Sequence, residues 1–400
     1  MGLELGITTI ITCRTAHKKM RTQSIRVVVG LLIACFLVLG LGAESSYGKR
    51  SERVNSGVSF WKQANLNGQT IPSPRFDFGF DTFQDKSFSL MFGGTVSGFS
   101  VTDELWVLDH NNVGSHADPF SQAWSQIANN GQAWPTPTKD AAALFCNGDF
   151  YVIGGMTSKK QVLSDMWKYR VEEQTWVNLN SDASQTQRSI VSRAGHSAVC
   201  VQDMFIVLFG GVDGNGTYSN KIHTYGISDR VWIEMSPSNS VSVPPRMYSP
   251  LFFNPMQLAI YIFGGYATNS SGNVQNVNDM WTFSLYTREW RQINQAPNTP
   301  WPLARSGQNF APMDPGHLLM FGGEGSDGMG LNDLWQYSFR NQIWTAIPSS
   351  GPSTPSGRLG SGLVQRYPNS PEYILFNGVS GWTNTTLLND AWLCSLLNSN

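Results

Sequence analysis

An apolar run ending in a glycine pair recurs along this chain at a nearly fixed interval. The copies are Leu90-Met91-Phe92-Gly93-Gly94, Val152-Ile153-Gly154-Gly155, Leu208-Phe209-Gly210-Gly211, Ile262-Phe263-Gly264-Gly265 and Met320-Phe321-Gly322-Gly323. A decayed copy stands at Leu375-Phe376-Asn377-Gly378. The last glycines of successive copies are 61, 56, 54, 58 and 55 residues apart. Such a period marks one supersecondary unit repeated, each copy burying its apolar face against the next. Composition points the same way. Charged residues are 14%, against 39 glycines and 14 tryptophans, which favours short buried strands joined by tight turns over helices.

Two further landmarks keep register with the glycines. The first is an acidic residue shortly before a Trp: Asp103-Glu104-Leu105-Trp106, Asp165-Met166-Trp167, Asp279-Met280-Trp281, Asp333-Leu334-Trp335 and Asp390-Ala391-Trp392. The third copy departs, as Asn220-Lys221-Ile222-His223. The second landmark is a later Trp, at 124, 176, 232, 290 and 344. A sixth would fall at position 401, so the missing strand is sought at the other end. Each later Trp precedes a basic residue (Lys139, Arg193, Arg246, Arg305, Arg358) by 14 to 17 positions, and Trp61 precedes Arg75 by 14. Phe60-Trp61-Lys62 is therefore expected as the outer strand of the last repeat, which covers edges that an open ring leaves unpaired.

Each repeat reads as four antiparallel strands: a after the basic residue, b ending in Gly-Gly, c around the acid–Trp pair, and d at the later Trp. Over residues 59 to 396 these landmarks resemble the kelch motif. The resemblance implies an all-β, six-bladed kelch-type β-propeller, closed by the N-terminal strand. The expected layout is a signal segment over 1–48, a short linker over 49–58 and the propeller over 59–400.

The N-terminus is different in kind. Arg14, Lys18, Lys19, Arg21 and Arg26 precede an uncharged apolar run from Val27 to Leu41, followed by Gly42, Ala43, Glu44 and Ser45. That order is a secretory signal, cleaved or retained as an anchor, with Met20 a more ordinary starting point than Met1. Either form places the propeller outside the cytosol. Sequons at Asn215, Asn269 and Asn384 fit that route. With a net charge of −1 there is no global field to recruit nucleic acid or an anionic membrane. Beyond the signal only Cys146, Cys200 and Cys394 remain, too few for a disulfide framework. Cys146 and Cys200 occupy equivalent points on neighbouring inner strands. Both are expected reduced and buried, because blades tend to hold Cα atoms too far apart to bridge.

No catalytic set, metal site or cofactor is expected. Gly323-x-Gly325-x-x-Gly328 spells a dinucleotide fingerprint, but in a b–c turn with no helix after it. His196-Ser197 sits in a near-elbow that opens a strand and lacks the final glycine. Asp213-Gly214-Asn215 begins like a calcium loop whose twelfth position is Thr224 rather than Glu. His110, His116 and Asp118 share one loop, at a spacing too loose for a metal set. Among kelch-type enzymes, the Glu-x-x-x-Asp of nitrile-specifier-type proteins is missing. The extra domain of galactose-oxidase-like enzymes is not expected either. A sialic-acid-mutarotase-like sugar chemistry stays open.

The remaining candidates are contact residues. Arg75, Lys139, Arg193, Arg246, Arg305 and Arg358 open the inner strands and form a ring able to clamp carboxylates. The same residues are also able to pair with the acid of the acid–Trp landmark. Trp134 and Trp301, in d–a loops, and His110 and His116, in the long blade 1 loop, are the other partner-contact candidates. The expected function is an extracellular or lumenal scaffold, monomeric, that engages a protein or glycan partner, acidic if the basic ring is the contact. The open alternatives are the sugar enzyme and the ectodomain of an anchored, attractin-like protein.

Overall fold

The computed structural model describes residues 57–66, 70–113, 123–180, 185–269, 271–383 and 385–397. The signal segment, most of the linker, His116, Asp118 and Asn384 lie outside these residues. Six four-stranded antiparallel sheets follow one another. The first runs Gly79–Phe83, Phe88–Phe92, Leu105–Asp109, Trp124–Ile127 from the axis outward. Blades 2 to 5 begin with Ala142–Cys146, Ala194–Val201, Leu251–Asn254 and Asn309–Asp314. The sixth is Gly362–Gln365, Glu372–Phe376, Ala391–Leu397 and then Val58–Gln63. Val58 pairs with Leu397 and Trp61 with Cys394, so the N-terminal strand completes the last blade as expected. Among the described residues no helix is long and apolar enough to cross a membrane.

The d-strand tryptophans wedge the blades together. Trp124 meets Phe376 at 4.7 Å, Trp176 meets Phe92 at 5.4 Å, and Trp290 meets Phe209 at 5.4 Å. Trp344 meets Phe263 at 5.2 Å and Trp61 meets Phe321 at 5.3 Å. Each ring thus packs on the aromatic that ends strand b of the preceding blade. Twisted blades leave a wedge between them, and a large flat side chain fills it. In blade 3 the partner position is Ile153, which shares a buried cluster with Trp232.

At the axis the backbone forms a closed circuit. Asp140 N donates to Asp77 O (3.0 Å), Gly195 N to Asp140 O (2.9 Å) and Tyr248 N to Gly195 O (2.8 Å). Gly307 N donates to Tyr248 O (3.0 Å), Gly360 N to Gly307 O (3.2 Å) and Asp77 N to Gly360 O (3.1 Å). All six residues have positive φ, between 54° and 65°. Glycine takes that conformation freely. For Tyr248, at 55°, it costs about 1 kcal/mol or more.

Two expectations are corrected here. Cys146 and Cys200 form a disulfide, with Cα atoms 5.4 Å apart. Blades diverge outward, but these residues lie on inner strands, where neighbours run close enough to bridge. Among the described residues Cys394 is the one free cysteine, and burial pushes its thiol up. His110 is not a surface residue. It is 0% exposed, with Nε2 2.8 Å from Ser89 Oγ and Nδ1 2.5 Å from the Arg366 carbonyl. A carbonyl only accepts, so Nδ1 carries the hydrogen and Nε2 accepts from Ser89. Tyr367 Oη donates back to the His110 carbonyl at 3.1 Å. These bonds clasp blade 1 to blade 6 across the seam where the chain closes.

Candidate functional site

The basic ring does not form an open cationic mouth. Arg75, Arg246, Arg305 and Arg358 are all 0% exposed. Arg246 is bidentate to Asp279 (2.7 and 2.8 Å), Arg305 to Asp333 (2.6 and 2.7 Å) and Arg358 to Asp390 (2.5 and 2.8 Å). Arg75 bonds Glu104 at 2.5 Å. Each of these Arg side chains also donates to the carbonyl of the first glycine-pair position of its own blade. The same carboxylates accept from the indole of the following Trp, at 2.6 to 3.0 Å. The acid–Trp landmark is thus a buried bracket holding strand a to strand c. An incoming carboxylate would have to displace a bidentate acid at Arg246, Arg305 and Arg358, and Glu104 at Arg75.

Lys139 is out of register with the others. The Gly94 amide bonds the Thr138 carbonyl, just as Gly155 bonds Arg193, Gly265 bonds Arg305 and Gly378 bonds Arg75. Thr138 therefore holds the arginine position, and Lys139 stands one residue later. The spacing from Trp124 to Thr138 is 14, as from Trp61 to Arg75, so the misassignment came from taking the nearest basic residue rather than from loop length. Blades 2 and 3 each carry half the bracket. In blade 2 Trp167 Nε1 is buried without a partner. In blade 3 Lys221 replaces the acid, and Arg193 donates to the Gly210 carbonyl and Ser219 Oγ instead. Among the described residues no carboxylate pairs with Arg193, and burial lowers its pKa to about 10.

Trp134 and Trp301 are half-buried. Their indoles donate to the carbonyls of Asp103 (2.8 Å) and Asn278 (2.7 Å), the residues just before the bracket acids. They cap blades 1 and 4. Asn215 is exposed at a b–c turn. Asn269 is half-buried, and its carboxamide oxygen accepts from the Ser271 and Asn273 amides. Cys146, Cys200 and Asp203 come together, but the two sulfurs are bonded to each other.

A cavity of about 150 Å³ lies on the axis, lined in every blade by the circuit residue and one or two residues after it. Gly195, Gly307 and Gly360 contribute no side chain, whereas Asp77, Asp140 and Tyr248 do. Asp140 is 7% exposed; Asp77 and Tyr248 are half-buried. Burial first, then the Asp140 charge and a hydrogen bond to it, raise Asp77 well above the usual carboxylate range. Lys139 Nζ stands 3.5 Å from Asp140 Oδ2. Burial first, then the nearby Asp140 and Asp77 carboxylates, raise Tyr248 well above the usual phenol range. Burial and Arg193 hold His196 neutral, with a pKa near 3, and neither of its ring nitrogens has a hydrogen-bond partner. Gln308 in the equivalent place donates to the Phe263 carbonyl at 2.7 Å. The sequence reading missed Asp77, Asp140 and Tyr248. Their one visible signal is a non-glycine where three other repeats carry Gly.

Residues 181–378 match the KLHDC2/KLHL20/DRC7 Kelch-repeats domain, and residues 137–182 match the Kelch motif. The chain is 25% identical over 256 residues to the Leucine-zipper-like transcriptional regulator 1 homolog of Drosophila melanogaster, covering 60% of this chain and 24% of that protein. It is 23% identical over 333 residues to Acyl-CoA-binding domain-containing protein 5 of Arabidopsis thaliana, covering 81% and 47%. It is 26% identical over 196 residues to human Multiple epidermal growth factor-like domains protein 8, covering 48% and 7%. The chain spans less than half the length of each of these three. Registered repeats, six four-stranded sheets and both family matches make this chain a member of the kelch-repeat β-propeller family.

Proposed function

We propose that this propeller is a protein-interaction scaffold of the secretory space, docking its partner on the face formed by the d–a and b–c loops of blades 5, 6 and 1. Kelch propellers generally bind protein partners, and nothing in this site demands turnover. The reading rests on one observation: four large apolar side chains stand exposed on that arc. They are Leu303 (66%), Met329 (43%), Trp382 (43%) and Phe99 (65%). Exposed apolar groups on rigid loops mark contact surfaces. The loops are held: Trp382 N bonds the Gly328 carbonyl at 3.1 Å, and the Trp382 ring sits edge-on to buried Phe76 at 5.4 Å. The N-terminal signal supports the compartment. So does the Cys146–Cys200 disulfide, since disulfides persist in oxidising compartments. Glycans on Asn215 and Asn269 would flank blades 3 and 4, whereas the sequon at Asn384 falls two residues after Trp382, so docking on this arc requires Asn384 to be unglycosylated.

Trp382→Ala combined with Met329→Ser tests this. The double variant should melt like the parent yet lose, in capture from the native secretome, the proteins the parent retains. An unchanged set of captured proteins would remove the docking face. A sugar enzyme is the second reading, favoured by the convergence of Asp77, Asp140 and Tyr248 on the axis. Exchange of reducing-sugar anomers, followed by magnetisation transfer and abolished by Asp77→Asn, would establish it.

A further inference from the structure

We infer that the axial cavity is a binding site for a protonated amine or guanidinium group, held by Asp77 and Asp140. The inference goes beyond the scaffold reading and stands without it.

The cavity asks for hydrogen-bond donors. Asp77 Oδ2, Asp140 Oδ1 and Gln308 Oε1 are all buried acceptors with no donor within reach. Asp140 is 7% exposed and Gln308 4%, so their free oxygens face the cavity rather than bulk solvent. Two lining donors are engaged, Gln308 Nε2 on the Phe263 carbonyl and Asn309 Nδ2 on Ser361 Oγ, while neither ring nitrogen of the neutral His196 has a partner. The two carboxylates on the wall repel an anionic ligand and attract a cationic one.

Charge gives the same answer. The groups facing Asp77 are Asp140, Lys139, Tyr248, neutral His196 and, further off, Glu324. With both aspartates ionised, the two carboxylates and Lys139 leave one net negative charge on the axis. Either one proton or one ligand cation neutralises it. Two carboxylates within hydrogen-bonding range share a proton in the resting site. A cation enters by taking that proton's place, and the proton passes to solvent. Size and walls also suit. A cavity of about 150 Å³ accepts a group the size of benzene, such as a guanidinium on a short stem. Phe78 and Tyr248 line it, and aromatic faces attract cations.

Butylguanidinium and acetyl-Gly-Arg-Gly-amide are the probes, titrated calorimetrically in phosphate and in cacodylate buffer. Binding of both identifies the cation itself as the ligand; binding of the peptide alone identifies a basic side chain of a partner. Affinity should rise with pH by up to tenfold per unit while Asp77 holds its proton, with up to one proton released. Asp77→Asn should weaken binding by about tenfold or more and flatten the pH dependence. Asparagine tolerates the positive φ at this position, so the fold is kept. Lys139→Met should tighten binding, a result that misfolding does not produce. No binding of either probe at 10 mM, pH-independent binding, weaker binding in Lys139→Met, or preferential binding of acetate would each overturn the proposal. Failure here leaves docking at Trp382 untouched, and loss of docking in the Trp382 variant leaves axial binding intact.

Discussion

A buried guanidinium is stable only with its charge answered nearby, and the four complete brackets show how the blades meet that condition. Arg305 has zero exposure and two bonds to Asp333. Removing Asp333 leaves an uncompensated buried cation, so Asp333→Ala should cost about 3–5 kcal/mol in denaturant melts. The pH dependence has a definite sign. The Arg305 partnership holds the folded Asp333 carboxyl below its usual range, against burial acting upward. Its contribution is complete above the unfolded value of about 4 and is lost as pH falls through the folded value. Parent and Asp333→Asn stabilities should therefore converge in acid below about pH 4. Blade 3 offers the converse test. Lys221 sits where other blades carry the acid, and its own pair with Glu234 at 2.8 Å is exposed and worth little. Lys221→Asp should give Arg193 its missing partner and raise the melting temperature; a lower melting temperature would refute the bracket as a stabilising unit.

At the scale of elements, the bond between the inner strands of blades 2 and 3 closes a loop of 54 residues. Constraining the unfolded chain over that length is worth about 4 kcal/mol. Replacing both Cys146 and Cys200 by Ala should lower stability by up to that amount, and non-reducing mass mapping of the parent should return a linked 146–200 peptide. The same pair shows where one-dimensional reading stops. Cys146 and Cys200 were correctly placed on adjacent inner strands, but not at equivalent positions: with Thr138 as the counterpart of Arg193, Cys146 lies one residue further along its strand than Cys200 does. The distance between those strands depends on how far each lies from the axis, which no local pattern encodes. Register had the same weakness. The glycine pairs and Trp positions located every blade, yet the search for a basic residue picked Lys139 over Thr138, which keeps the common 14-residue spacing from the Trp but carries no charge.

On the scale of the whole molecule, closure is the decisive feature. The strand Val58–Gln63 covers the last blade, the axial circuit returns to its start, and the His110–Arg366 clasp spans the same seam. Deleting residues 49–66 should expose the edge of Ala391–Leu397, giving soluble aggregates and a large drop in melting temperature by light scattering and calorimetry. A monomer that melts like the parent would show that closure does not depend on that strand. Repetition made this architecture legible from sequence: the blades solve the same packing problem with nearly the same residues, so the wedge tryptophans announce themselves six times and the glycine pairs and bracket acids five. Site chemistry is the opposite case. Asp77, Asp140 and Tyr248 are departures from the repeat, distant from one another in the chain. They become one site only because six inner strands converge on an axis. The buried state of the arginines is likewise a tertiary fact, since the same guanidiniums read as a ligand clamp until the facing carboxylates are in place. Sequence alone determined the blades and their order. Tertiary structure decided which charges are neutralised inside the blades and which face the channel, because that depends on distances across the ring.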